Sequence, residues 1–334
     1  MSIRSPTTRP VVVSGSDDAA VRVWDLEARG LLYQPLEAHQ GKVNALAVGE
    51  LRGRPIAISG GDDRTVRMWD LAGGRPLGVP LVGHGRKVLA VALGELGGRP
   101  IAVSGGNDNS VRVWDLDAGG LAYEPLVGHD GNVLAVAMGR LGDRPIAVSA
   151  SDDFTLRAWD LEAGGPLGRP LEGHDNIVNA LAVGELNGRP IAVSGGCDQL
   201  VRVWDLAAGG PLGGLLGEPL AGHDGWVTAV ALGELGGRPI AVSGGCDQLV
   251  RVWDLQAGSH EAVPLLDEAQ AFADRGSSRT VRAWIAAVRA EALASTGAEL
   301  LSLKAVEQAE EELAVVTTDD PLGDIFDRLP LNRI

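Results

Sequence analysis

The chain has 334 residues and a formal net charge of −15 at pH 7, with 44 acidic residues against 29 basic ones. It has two cysteines, no apolar run long enough to span a bilayer and no charged-then-apolar leader. These features speak against a disulfide scaffold, a membrane helix and a secretory signal, and predict a soluble protein of a reducing cytoplasm. No clustered basic stripe offsets the acidity, so a nucleic-acid groove is not expected, and the scarcity of lysine suggests GC-rich coding and a bacterial source.

Residues 1 to 8 (MSIRSPTT) are polar and expected to be loose. A repeating pattern then begins part-way through its unit. RPVVVSGSDD and AAVRVWDL of the first copy correspond to GRPIAISGGDD and RTVRMWDL of the second. The first copy therefore reads as having its second, third and fourth strands and lacking the first, together with the His that precedes that strand elsewhere.

The full unit is clearest from His39 to Asp70. A His in a polar loop is followed by the alternating run VNALAV, a turn, the run PIAIS, a Gly-Asp-Asp turn, and a third run ending in Trp-Asp. Three strands and two hairpin turns are implied. The same text returns from His84, His129, His174 and His223, with His and Trp always 30 residues apart. The first turn carries Arg52-Gly53, Gly97-Gly98, Gly142-Asp143, Asn187-Gly188 or Gly236-Gly237, mostly residues suited to positive φ, and each is followed by Arg-Pro at the opening of a strand. A Gly- and Ala-rich connector and a short Pro-Leu strand complete the unit. Trp24, Trp69, Trp114, Trp159, Trp204 and Trp253 are spaced 45, 45, 45, 45 and 49, the last interval holding a loop insertion.

A period of this length, with Gly-His near its start and Trp-Asp near its end, resembles the WD-repeat family, whose units are propeller blades. The resemblance covers roughly residues 9 to 266. It implies an all-β fold: a six-bladed β-propeller over residues 1–266, its first blade lacking the innermost strand, with residues 267–334 as a short α-helical C-terminal extension.

His39, Ser59, Asp63 and Trp69 contain the members of a nucleophilic triad. The set recurs as His84, Ser104, Asp108, Trp114; His129, Ser149, Asp153, Trp159; His174, Ser194, Asp198, Trp204; and His223, Ser243, Asp247, Trp253. Catalysis needs one strained site, and five copies fit a structural role. In WD-repeat proteins these residues resemble a buried relay from Asp through His and Ser to the Trp indole. The first copy keeps Ser14, Asp18 and Trp24 without a His, so its blade is expected to be the least stable. Histidines 45 residues apart are not at metal-ligand spacing, and the SGGDD turns lack the Lys and following helix of a phosphate cradle. No metal, cofactor or enzymatic activity is expected. Cys197 and Cys246, at one place in consecutive repeats, are expected to be free thiols.

Variation among repeats points to binding. Three residues after each His stand Lys42, Lys87, Asn132, Ile177 and Trp226; two further on stand Asn44, Leu89, Leu134, Asn179 and Thr228. After the turn Asp stand Ala19, Arg64, Asn109, Phe154, Gln199 and Gln248. In the family such loops share one rim around the mouth of a central channel. Lys42, Arg64, Lys87, Asn109, Asn132, Phe154, Ile177, Gln199, Trp226 and Gln248 are therefore the candidate partner-binding residues. Phe154, Ile177 and Trp226 resemble the aromatic and apolar anchors of a protein interface.

After Pro264-Leu265 helical periodicity takes over. LLDEAQAFADRG ends at Gly276, TVRAWIAAVRAEALAS ends at Gly297, and ELLSLKAVEQAEEEL follows. The last two resemble a single tetratricopeptide-type hairpin, with Ala290, Leu293, Val306 and Ala309 at its packing positions. A helix-turn-helix reading, with Arg275, Arg279, Arg282 and Arg289 toward phosphates, is the rival. Ala314 to Thr318 (AVVTT) is strand-like and is a candidate to close the ring by supplying the first blade's missing strand. The reading as a whole is a non-catalytic protein–protein interaction scaffold whose partners are proteins or peptides, not nucleic acid or membrane. The alternative is a regulatory or sensor module whose tail makes the output.

Overall fold

The computed structural model describes residues 2–4, 10–26, 28, 30–207, 214–235 and 237–256. It contains six antiparallel sheets that follow one another along the chain, matching a six-blade propeller. In the second sheet the inner strand Val43–Leu51 pairs with Arg54–Gly61, which pairs with Thr65–Asp70, which pairs with the outer strand Arg75–Val82. The later inner strands are Val88–Leu96, Val133–Leu141, Val178–Leu186 and Val227–Leu235.

In blades two to six the second strand lies between its neighbours in the sheet and is buried on both faces over most of its length, which is why PIAIS reads as a continuous apolar run. The turns behave as their residues require: Arg52-Gly53, Gly97-Gly98 and Asn187-Gly188 all have positive φ, as a two-residue hairpin turn demands. The Asp after each Trp is also accounted for. Asp70, Asp115 and Asp160 accept the backbone N–H groups of the two residues that begin the connector, and their outer oxygens meet Arg75, Arg99 and Arg144. The longer fifth connector leaves the outer strand in place, since Trp204 pairs with Leu215 as Trp114 pairs with Leu121.

Five of the described cores are each shared by two blades, and a sixth lies within the last sheet. Val11, Val13, Val21 and Val23 of the first blade pack with Trp69 of the second. Ile56, Ile58, Val66 and Met68 of the second pack with Trp114 of the third, and the pattern continues with Trp159, Trp204 and Trp253. The indole of one blade thus seals the core of the blade before it. Space for the approach comes from small residues: a Cβ on Gly60 or Gly105 would stand 2.5 or 2.4 Å from a methyl of Val88 or Val133 in the next blade.

Two expectations change. The first blade does have an inner strand: Ser2–Arg4 runs antiparallel to Pro10–Gly15, with Ser2, Ile3 and Arg4 opposite Val12, Val11 and Pro10. Three residues are too few to show an alternating pattern. They occupy the register of Val48–Glu50 in the second blade, so only the lower half of the strand is supplied. Secondly, the described residues do not close the ring, and the sixth sheet shows three strands. The tail helices, the tetratricopeptide-like hairpin, the Ala314–Thr318 strand and the Pro264-Leu265 strand lie outside the described residues.

Candidate functional site: the framework tetrads and the rim above them

The five recurring sets form the expected relays. The Trp indole N–H donates to the Ser hydroxyl oxygen at 2.8 Å in all five. That oxygen lies 2.6–2.8 Å from the His Nε2, and the His Nδ1 lies 2.7–3.0 Å from the Asp carboxylate. A neutral imidazole completes this chain without remainder: the indole donates to Ser, Ser donates to Nε2, and Nδ1–H donates to Asp. The same Asp accepts a backbone N–H from the loop after the His, as Asp63 does from Gln40 and Asp153 from Asp130. Each relay therefore ties loop, strands and core indole together.

Burial sets the electrostatics. It penalises the imidazolium form of His39 and His174 and holds both below the ordinary value of 6.5, although Asp63 and Asp198 pull the other way. Burial also pushes the aspartates upward, but the donors around them outweigh it, and Asp63, Asp108, Asp153 and Asp247 all lie below 3.8. Asp198 is lowered to about 2, because the hydrogen bonds it accepts from His174 and Arg202 outweigh the upward push of burial. In the fifth blade Arg202 also donates to the Asp198 carboxylate at 2.5 Å, a contact the sequence pattern did not disclose.

The rim lies where the His-side loops meet the turns of the preceding blade. Lys42 bonds Asp17 at 2.7 Å and Lys87 bonds Asp62 at 2.6 Å, each reaching back one blade. Asn132 instead bonds Asp152 in its own blade at 2.6 Å. These early rim residues are engaged with the protein itself. The late ones differ in kind: Trp226 is 56% exposed, Phe154 is 43% exposed, and Ile177 is half-buried. The backbone carbonyl of Ile177 accepts the N–H of Cys197 at 2.7 Å and that of Trp226 the N–H of Cys246 at 2.8 Å, each on the turn of its own blade. The structure thus brings Phe154, Ile177 and Trp226 to adjoining blades of one rim. Both cysteines are free, Cys197 buried and Cys246 exposed.

Two features of the rim were hidden in the sequence. Ala19, Arg64, Asn109, Phe154, Gln199 and Gln248 all have φ between 61° and 72°, each closing a turn by donating its N–H to the carbonyl three residues back. Such a conformation suits Gly or Asn and strains a bulky side chain. Phe154 holds it nonetheless. In addition, every inner strand of blades two to six carries a β-bulge, centred on Asn44, Leu89, Leu134, Asn179 and Thr228. A bulge re-aims its residue, and the only sign of it in sequence was the variability of that position. Asn44 uses the freedom to donate to Asp62 and to the Val88 carbonyl of the next blade.

Below the rim the inner strands of blades two to six surround a cavity of about 340 Å³. Its wall includes Leu46, Val91, Val136, Met138, Leu181 and Val230, with the bulge residues Asn179 and Thr228 as its polar side chains. That strands from five consecutive blades share one cavity shows that the sheets turn about a common axis. Among the described residues there is no cluster of three metal-ligating side chains, and no helix is long and apolar enough to cross a membrane.

A family model described as WD domain, G-beta repeat matches residues 1–25, 30–70, 74–115, 122–160, 165–205 and 214–254. The crystal structure of a computationally designed protein, Ika8, aligns with a TM-score of 0.59 and 34% identity, over 75% of this chain and 69% of that one. No curated protein matches. Repeats of this kind commonly mediate protein–protein interaction, and the proteins that carry them are generally non-catalytic scaffolds. With six matched repeats, all ending in Trp-Asp and five of them opening on the framework His, the chain belongs to the WD-repeat family.

Proposed function

We propose that this protein is a non-catalytic interaction platform of the bacterial cytoplasm, and that it holds a protein or peptide partner on the late-repeat rim through Phe154, Ile177 and Trp226. The observation that carries the reading is the exposure of Trp226 and Phe154 on a rim whose early lysines, Lys42 and Lys87, are already paired. Large aromatic side chains supply much of the energy of protein interfaces. Phe154 sits in a backbone conformation that a glycine would adopt at lower cost, which supports a role for its side chain beyond folding. Gln199 and Gln248 on neighbouring turns supply polar contacts at the patch edge, and Arg64 and Asn109 extend the rim toward the early blades.

The test is affinity capture from the native cell with the full chain and with a chain carrying Trp226→Ala and Phe154→Ala together. Both side chains are surface groups, so folding is retained. Loss of two interface anchors lowers affinity by about 30-fold or more, and the specific partner disappears from the captured set. Equal capture by both chains would remove the rim from consideration.

A further inference from the structure

On the footing that the late-repeat rim holds a protein or peptide partner, we propose that this partner presents a lysine or arginine beside an apolar residue, and that an acidic segment is refused. The loops divide the rim by charge. In the second and third blades the His-side loops HQGKV and HGRKV and the turn GGDDRT supply Lys42, Arg64, Arg86 and Lys87. From the fourth blade to the sixth the corresponding loops read HDGNV, HDNIV and HDGWV, and the turns read ASDDFT, GGCDQL and again GGCDQL, without a lysine or an arginine.

The residue after each His shows the change most sharply. It is Gln40 and Gly85 in the early blades and Asp130, Asp175 and Asp224 in the late ones. These three aspartates are exposed, and no hydrogen bond or ion pair from a described residue reaches their carboxylates. The other late-rim aspartates are already engaged: Asp153, Asp198 and Asp247 in the relays, and Asp152 by Asn132. The switch to Asp coincides with the loss of lysine two places on, where Asn132, Ile177 and Trp226 stand. Early blades neutralise their own turns, through Lys42 on Asp17 and Lys87 on Asp62. Late blades leave carboxylates unneutralised beside apolar side chains.

The backbone holds each carboxylate near an anchor. Asp130 N–H donates to Asp153, the residue before Phe154, at 3.0 Å. Asp175 and Asp224 N–H groups donate to Asp198 and Asp247 at 3.3 and 3.2 Å, while the carbonyls of Ile177 and Trp226 accept from the same two turns. Each of these loops is thus tied down on both sides of its carboxylate. The blades are also closely joined here: Val178, next to Ile177, shares a core with Ala150 of the fourth blade, and Val227, next to Trp226, meets Gly195 of the fifth. A pre-ordered patch loses little freedom on binding. A cation is attracted both by the face of an indole and by the flanking carboxylates. The exposed Arg64 and Arg86 of the opposite half repel it, which fixes the end of the rim at which a basic residue settles.

The probe is a phage-displayed library of random peptides, panned on the full chain. The expected peptides carry Lys or Arg next to a large apolar residue and are poor in Asp and Glu. The most enriched of them, synthesised with a fluorescent label, binds a chain carrying Asp130→Asn, Asp175→Asn and Asp224→Asn at least about tenfold more weakly, and its binding to the parent chain falls as salt rises. The amides replace exposed carboxylates that hold nothing in the fold, and an unchanged thermal transition verifies this. The chain carrying Trp226→Ala and Phe154→Ala loses the same peptide. Enriched peptides that are apolar but not basic, or that bind the Asn variant as well as the parent and lose only to the alanine variant, would overturn the basic partner and leave the aromatic rim standing. Loss to the Asn variant alone would overturn the apolar half of the proposal. No enrichment, or equal binding to all three chains, would overturn both the proposal and the rim.

Discussion

Trp159→Ala is expected to destabilise the protein by about 3–5 kcal/mol, and Trp24→Ala by only about 1–2 kcal/mol. The two residues hold the same place in their repeats, so the difference isolates the effect of a preceding blade. Trp159 is fully buried among Val111, Val113 and Leu126 of the third blade and Val133 of its own, and its N–H satisfies Ser149. Removing it leaves a cavity between two sheets and deprives a buried hydroxyl of its donor. Trp24 also donates to Ser14, but it is half-buried, with one face toward no described sheet. Chemical denaturation followed by circular dichroism measures both losses. Equal losses would mean that the indoles act within their own blades and not between them.

Acid has the second large effect, and its sign is informative above pH 4 as well as below. His39 and His174 lie below 6.5 in the folded protein because burial disfavours the imidazolium. The unfolded chain therefore binds protons at these sites as pH falls through 6.5 while the folded chain does not, and stability declines. The relay aspartates extend the decline. Their folded values lie below 3.8, with Asp198 at about 2, so the stability they contribute is complete above 3.8 and is lost as pH falls toward 2. The expected curve of Tm against pH falls steadily below neutrality and steepens below about 4. If the aspartates instead held the histidines as imidazolium ions, stability would rise between pH 7.5 and 6, and the neutral relay would be wrong.

Much of this architecture can be read from the chain because repetition separates structure from function. A residue present in every unit, such as the Trp of each Trp-Asp pair, does something every blade needs. A residue that changes, such as the one three places after each His, is released from that need. The relays, the hairpin turns and the blade count follow from this contrast. What it does not expose is geometry that depends on neighbours. Ser2–Arg4 forms a strand only because Pro10–Gly15 lies beside it, and three residues carry no period. The bulges at Asn44, Leu89, Leu134, Asn179 and Thr228 leave the letter pattern unchanged while shifting the register. The left-handed backbone at Phe154 is equally silent, since the residue chosen is one that disfavours it. The difference between Lys87, tied to Asp62, and Trp226, largely exposed, also appears only when adjoining blades are set side by side.

The most direct measurement is exchange of the tryptophan indole protons by nuclear magnetic resonance on protein labelled at tryptophan. Internal relays that join the blades require slow exchange at Trp69, Trp114, Trp159, Trp204 and Trp253, whose indole N–H groups are bonded to buried serines, with faster exchange at Trp24 and fastest at the exposed Trp226. Rapid exchange at those five, level with Trp226, would show that the recurring groups face water, and the structural role assigned to them would fall.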